Sequence, residues 1–269
     1  MTRRTMLLLG LVVLGVPLAA PWIAPFDPEL QLDIVALRSL PPSSAHWFGT
    51  DSYSRDVFSR VLHGSRVTLS IALAAVSLLL LMGTAYGALT ALAPRVISNA
   101  LRRALDLFLS VPRILVLLAL SAFIGPLAVW QLVLLVGFTG WFAVARQVTD
   151  ALDALLVEDF ALAARALGVR SSRLVWRHLL PHLLPLLAVS ATFAVASTIA
   201  LETTLSYLGM GVQPPEASWG AIMRDGASAM TSEWWMTLFP GLATMAVTMA
   251  CNALGDALRP PRAASQVAS

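Results

Sequence analysis

The sequence predicts an all-α polytopic membrane protein with six transmembrane helices, on three observations. Of its 269 residues 58% are hydrophobic and only 12% are charged, with a mean hydropathy of +0.77, more apolar surface than a soluble domain of this size needs. The apolar residues gather in runs long enough to cross about 30 Å of hydrocarbon at about 1.5 Å per residue. The arginines between these runs fall unevenly on the two sides. Arg3, Arg4, Arg95, Arg102, Arg103, Arg113, Arg146, Arg165, Arg170, Arg173, Arg177, Arg259 and Arg262 lie on one side, and Arg38, Arg55, Arg60, Arg66 and Arg224 on the other, which predicts both termini in the cytoplasm.

Residues 1–25 are expected as an N-terminal transmembrane helix, because Arg3 and Arg4 precede an apolar run over 6–23. A cleaved secretory signal near Ala19 and Ala20, or a twin-arginine signal in TRRTMLL, competes with that reading. The further spans downstream favour retention. Residues 26–65 carry Asp27, Pro28, Glu29, Asp33, Pro41 and Pro42 and form a periplasmic segment that closes in an amphipathic helix over 51–63. On that helix Asp51, Arg55, Asp56 and Arg60 read either as a solvated face of weak i, i+4 ion pairs or as a docking element beside a pore mouth.

Residues 66–258 form the core, with five more helices over 67–93, 104–124, 129–146, 183–207 and 236–254. Gly125 and Pro126 end the third span, Asp106 and Pro112 sit near its cytoplasmic start, and Trp234 and Trp235 anchor the outer edge of the last. A cytoplasmic loop occupies 150–182, an outer loop 206–235 and a cytoplasmic tail 259–269.

Within the loop, Phe160, Ala163, Ala164 and Leu167 recur at i, i+3, i+4 and i+7, an apolar stripe on a short helix over 159–167. Gly168 follows where a left-handed residue would end it. Ser171 or Ser172 can then cap a second helix, which Pro181 and Pro185 interrupt. The expected form is helix, sharp turn, helix.

Several chemistries are disfavoured. All 18 basic residues are arginine, so a lysine-type phosphate loop and a Schiff-base lysine are excluded, and any ATP must be bound by another chain. The pI near 9.7 reflects arginines beside membrane spans and not a nucleic-acid patch. No HExxH, GxSxG or cysteine pair occurs, so no catalytic site is expected, and the single Cys251 reads as a packing residue. His178 and His182 could share a metal on a regular helix, but Pro181 lies between them and no third ligand is near, so no metal site is expected.

Glu202 is the one carboxylate well inside an expected span. It reads either as a hydrogen-bonded lock between helices or, with Ser206, as part of a translocation path or gate. The outer loop holds Gly209, Gly211, Gln213, Pro214, Pro215, Trp219 and Gly220, more turn-forming residues than a plain connector needs.

Ala163, Ala164, Gly168, Leu180 and Pro181 stand at the spacing of Glu-Ala-Ala, three residues, Gly, nine residues, an apolar residue, any residue and Leu-Pro. The segment therefore resembles the cytoplasmic coupling loop of ABC importer permeases. It departs from that pattern at Leu162, where the family has glutamate, and at His178; Glu158 and Asp159 lie one turn earlier. HWFGTDSYSRDVFSRVLHGSR over 46–66, ETTLSYLGMGVQPPEASWGAIMRDG over 202–226 and NALGDALRP over 252–260 are similar to segments of the dipeptide, oligopeptide and nickel class, so the likeness covers nearly the whole chain.

The resemblance implies a type I ABC importer permease fold in a bacterial inner membrane. It further implies a second permease subunit, two ATP-binding subunits that use ATP and Mg, and a substrate-binding protein outside, with no cofactor on this chain. Glu158, Asp159, Ala163, Ala164, Arg165, Gly168 and Pro181 would couple to the ATPases. Gln213, Pro214 and Trp219 would meet the binding protein, and peptides, nickel or metal chelates would be the cargo. A stand-alone secondary transporter or channel is the alternative, expected to carry several ionisable groups at mid-membrane depth, where the sequence offers only Glu202. A membrane-anchoring assembly protein is a third reading.

Overall fold

The computed structural model describes residues 10, 15–31 and 33–259, positions 171 and 172 by their backbone alone. Much of the expected first span, the tail over 260–269 and Arg3, Arg4 and Arg262 lie outside the described residues. A short helix over 15–23, α1, precedes an irregular segment. After it come α2 (Val57–Leu92), α3 (Arg95–Leu109), α4 (Arg113–Ile124), α5 (Val129–Leu156), α6 (Asp159–Ala166), α7 (Ser171–Leu174), α8 (Leu180–Tyr207), α9 (Trp219–Gly226) and α10 (Trp235–Leu258). Among the described residues four helical stretches are long and apolar enough to cross a membrane: α2, α5, Val175–Tyr207 and α10. A fifth crossing arises if the bent pair α3 and α4 counts as one.

The expected amphipathic helix over 51–63 and the span that follows are one 36-residue helix, α2. Asp56 caps it, its side chain accepting from the Ser59 N–H at 2.8 Å, so residues 51–55 stay in the preceding turn. At about 1.5 Å per residue α2 is about 54 Å long, far more than a bilayer core needs, and its first turns therefore stand outside the apolar layer. Pro94 follows its last turn.

The third expected span is also corrected. The chain bends by 75° between α3 and α4, at Ser110, Val111 and Pro112. Proline lacks an N–H and disfavours a helical conformation in the residue before it, so the break falls at Pro112. The fourth span runs to Leu156, ten residues past its expected end.

α2 and α5 run parallel and make the most extensive seam of the fold. A Cβ on Gly83 would lie 2.6 Å from Val144 Cβ, and one on Gly87 would lie 2.7 Å from Val148 Cβ. The pair is a GxxxG spacing, which lets two backbones approach in a membrane where apolar burial gives little drive. α10 packs antiparallel on α8, with Gly255 against Thr192 and Phe193. The largest buried cluster joins α2, α5, α8, α9 and α10 through residues such as Leu79, Val148, Ile199, Ile222 and Met236.

Pro181 and Pro185 do not interrupt the fifth span. Val175–Leu179 is a π-helical turn, in which the Leu180 N–H reaches the Val175 carbonyl, and the helix continues through both prolines to Tyr207. A π turn widens the helix just before Pro181, where a regular ladder would press the ring on the carbonyl four residues back.

Candidate functional site

At one end of the bundle α6 is an eight-residue helix that turns sharply into α7. Gly168 takes φ +80°, its N–H donates to Arg165 O at 2.9 Å, and the Val169 N–H donates to Ala164 O at 3.1 Å. These two bonds are the Schellman pattern, which satisfies the last carbonyls of a helix through one left-handed residue. The expected stripe is present but largely bare. Ala161 is the only residue of α6 that is buried, Ala164 is half-buried, and Phe160 (43%), Leu162 (48%) and Leu167 (84%) are exposed, as are Glu158, Asp159, Ala163, Arg165 and Gly168. Val157 and Trp176 extend the exposed apolar surface. Pro181 is exposed on α8, beside His182, whose ring stacks on Phe160 with centroids 5.6 Å apart. His182 Nδ1 lies 2.6 Å from His178 O, and no group of three or more metal-ligating side chains exists among the described residues.

At the opposite end Glu202 is fully buried where α2, α8 and α9 meet. Ser206 Oγ donates to Glu202 Oε1 at 2.7 Å and accepts from the Val212 N–H at 3.0 Å, while the Trp219 N–H donates to Thr68 Oγ1 at 3.3 Å. Thr68 is the second residue of the apolar run of α2, so this junction lies near the edge of the apolar layer and not at its centre. Neither Glu202 nor Ser206 lines the cavity beside Arg60 and Arg66 or the one between α5 and α8.

Trp219 requires a correction as a partner contact. It is 2% exposed, with its Nε1 donating to Val61 O at 2.9 Å, because Ser218 caps α9 and turns the indole inward. Gln213 is half-buried, its amide nitrogen donating to Gly209 O and Gly211 O, each at 3.0 Å. Between Gln213 and Trp219, Pro214, Pro215 and Glu216 are the exposed residues.

The solvated-face reading of Asp51, Arg55, Asp56 and Arg60 is overturned. Asp51 and Asp56 are buried and Arg60 is 4% exposed. Asp51 Oδ2 accepts from Arg55 Nε and Arg60 Nη1, each at 2.7 Å, and Arg60 Nη2 donates to Asp225 Oδ2 of α9 at 3.1 Å. Asp56 also meets His46 Nδ1 at 2.9 Å. The loop before α2 is thus bolted to α9, and a Trp235 Nε1 bond to Thr50 O at 3.1 Å bolts it to α10. Asp225 carries no local signal of this role, lying 165 residues from Arg60.

Residues 83–261 match the family model of the binding-protein-dependent transport system inner membrane component, two thirds of the chain. The chain belongs to this family of importer permeases. A Brucella suis relative named as a peptide permease protein is 38% identical over 256 residues, covering 93% of this chain and 84% of the relative. The D,D-dipeptide transport system permease DdpC of Escherichia coli K12 is 34% identical over 242 residues, covering 89% and 80%. The inward-facing methionine ABC transporter MetNI shares the fold, with a TM-score of 0.56 at 20% identity over 76% of this chain and 98% of that one.

Arg113, counted with the cytoplasmic-side arginines and lying within the third expected span, packs its side chain against α5 in this permease. Its Nη2 donates to Val136 O at 2.6 Å and its Nε to Thr139 Oγ1 at 3.4 Å, on the middle of the apolar half of α5. Arg113 lines a cavity of about 810 Å³ between α5 and α8, together with Gln147, His182, Ser190, Ser197 and Arg259. Its signal was an arginine set directly after a proline and inside an apolar run, VPRILVLL.

Proposed function

We propose that this permease moves peptides across the inner membrane as one half of a translocation unit, driven by separate ATP-binding subunits. The observation that carries the reading is the bare apolar face of α6, set on a rigid Schellman turn. A short helix that shows Phe160, Leu162 and Leu167 to solvent is built to lie in a groove of another protein, with Ala163 and Ala164 permitting close approach. Closure of the ATPases on ATP would push α6, and the turn at Gly168 would pass the motion through the π turn to α8. Glu158, Asp159 and Arg165 would meet the rim of that groove, and Pro181 would set the start of the moving span.

On this reading the α6 end faces the cytoplasm, where Arg165, Arg170, Arg173 and Arg177 gather, and the α9 end faces the periplasm. The names of the relatives favour peptides as cargo over nickel or a metal chelate. A substrate-binding protein would dock on Pro214 and the residues beside it. Glu202 and Ser206 would hold α8 to α2 and α9 at the outer gate, so that the three move together. A second permease would close the groove between α5 and α8.

The test is a mild-detergent pull-down of the tagged chain with assay of ATP hydrolysis. Recovery of an ATPase, lost when Ala164 is replaced by Arg, supports the reading. A chain recovered alone that still moves solute in vesicles overturns it.

A further inference from the structure

We propose that Arg113 forms an anion-binding subsite in the groove between α5 and α8, one that takes the carboxylate of the transported solute. The inference rests on the transport reading for its solute, and on the groove itself for its chemistry. A cation set against the apolar part of a spanning helix is costly, and such groups face protein or a water-filled cavity and mark paths for ions or substrates. Arg113 is half-buried and its recorded bonds go to two neutral oxygens, Val136 O and Thr139 Oγ1; among the described residues it makes no ion pair.

The position is built for a guanidinium. A Cβ on Gly140 would lie 2.6 Å from Arg113 Nη2 and 2.9 Å from its Cζ, so α5 leaves out a side chain at the point where the charge rests. The rest of the lining continues the same chemistry. His182, Arg259, Gln147, Ser190 and Ser197 share the cavity, and no aspartate or glutamate lines it.

The volume of about 810 Å³ exceeds what one carboxylate needs and suits a small peptide with apolar side chains, held beside Leu186, Val189 and Phe193. Two bonds hold the guanidinium on α5, which leaves further N–H donors for a carboxylate. The lining offers a free divalent cation no carboxylate and two guanidinium groups, one of them, Arg259, paired with Asp256 at 3.4 Å, so the groove favours carboxylate-bearing solutes over bare metal ions.

The experiment uses the full chain in membrane vesicles with Cys251→Ser and a reporter Ala143→Cys, an exposed groove position one helical turn from Gly140. Labelling rates are measured with a sulfonate-bearing and a trimethylammonium-bearing methanethiosulfonate reagent, each normalised to a free thiol. The expected sulfonate preference falls by roughly tenfold in Arg113→Gln, the reach of a unit charge through a partly wet groove, and persists in Arg113→Lys. Alanyl-alanine at millimolar concentration should slow the labelling, and its C-terminal amide should not.

An unchanged reagent preference in Arg113→Gln, or equal protection by acid and amide, overturns the subsite and leaves Arg113 as a clamp of α4 on α5. Ser190→Cys repeats the measurement if the first reporter disturbs the helix. The labelling needs no ATPase, so failure of the importer reading shows separately, in the pull-down.

Discussion

Replacing Gly168 by valine isolates the turn between α6 and α7 from every other effect. A Cβ at Gly168 meets nothing within 4 Å, so no clash contributes. The whole cost comes from φ +80°, about 1–2 kcal/mol for a residue with a Cβ and more for a β-branched one. Since about 1.4 kcal/mol is a factor of ten, the formed turn should become about 5- to 30-fold less favoured against alternatives. Those alternatives lose the bonds from Gly168 and Val169 to Arg165 and Ala164, and with them the rigid angle between α6 and α8.

The assay is the complete transporter in proteoliposomes, with ATP hydrolysis and solute uptake measured on one preparation. Gly168→Val should insert and assemble, yet move several-fold less solute per ATP. Gly168→Asn should stay near the parent, because asparagine tolerates the left-handed region. A valine variant with an unchanged ratio would falsify the rigid-turn argument, and an asparagine variant as poor as valine would show that the backbone angle is not the cause.

Other outcomes follow from the packing. Gly83→Ala should cost about 1–3 kcal/mol through overpacking against Val144 and Trp141 O, read as a lower thermal midpoint in detergent, whereas Gly168→Ala leaves the α2 and α5 seam intact. Arg60→Gln strands the buried Asp51 with Arg55 alone and should cost up to about 3–5 kcal/mol; a midpoint within a degree of the parent would refute the network's role. Glu202→Leu leaves the Ser206 hydroxyl without its acceptor and should cost about 1–3 kcal/mol, while Glu202→Gln keeps an acceptor oxygen and should retain uptake. A folded Glu202→Gln variant that no longer transports would instead put the carboxylate on the path. Trp219→Ala should lower stability, and Pro214→Arg should lower uptake at limiting binding protein without moving the midpoint.

The helical class, four of the expected apolar spans and the form of the 159–171 loop were legible because hydropathy, 3.6-residue periodicity and a glycine at a helix end are local signals. α6 was expected over 159–167 and is Asp159–Ala166, with Gly168 left-handed as its position implied. The sequence also carried the GxxxG at Gly83 and Gly87, a pattern that can be read without a partner and that earns its meaning only beside Val144 and Val148.

What the tertiary structure decided are matters of company. Arg60 reads as a surface residue until Asp225 arrives from 165 positions away, and Trp219 reads as a loop aromatic until the cap at Ser218 turns it under α2. Arg113 sits next to a polar turn in sequence, but beyond the 75° bend at Pro112 it lies against Val136 and Thr139 in the apolar half of α5. The continuity of Val175–Tyr207 through two prolines depends on a π turn that no propensity announces. A chain's own composition fixes which segments leave water, since that free energy is local and roughly additive over apolar area. Which charge meets which carboxylate, and which cation is left facing a groove, depends on contacts between segments far apart in the chain, and only the assembled bundle sets them.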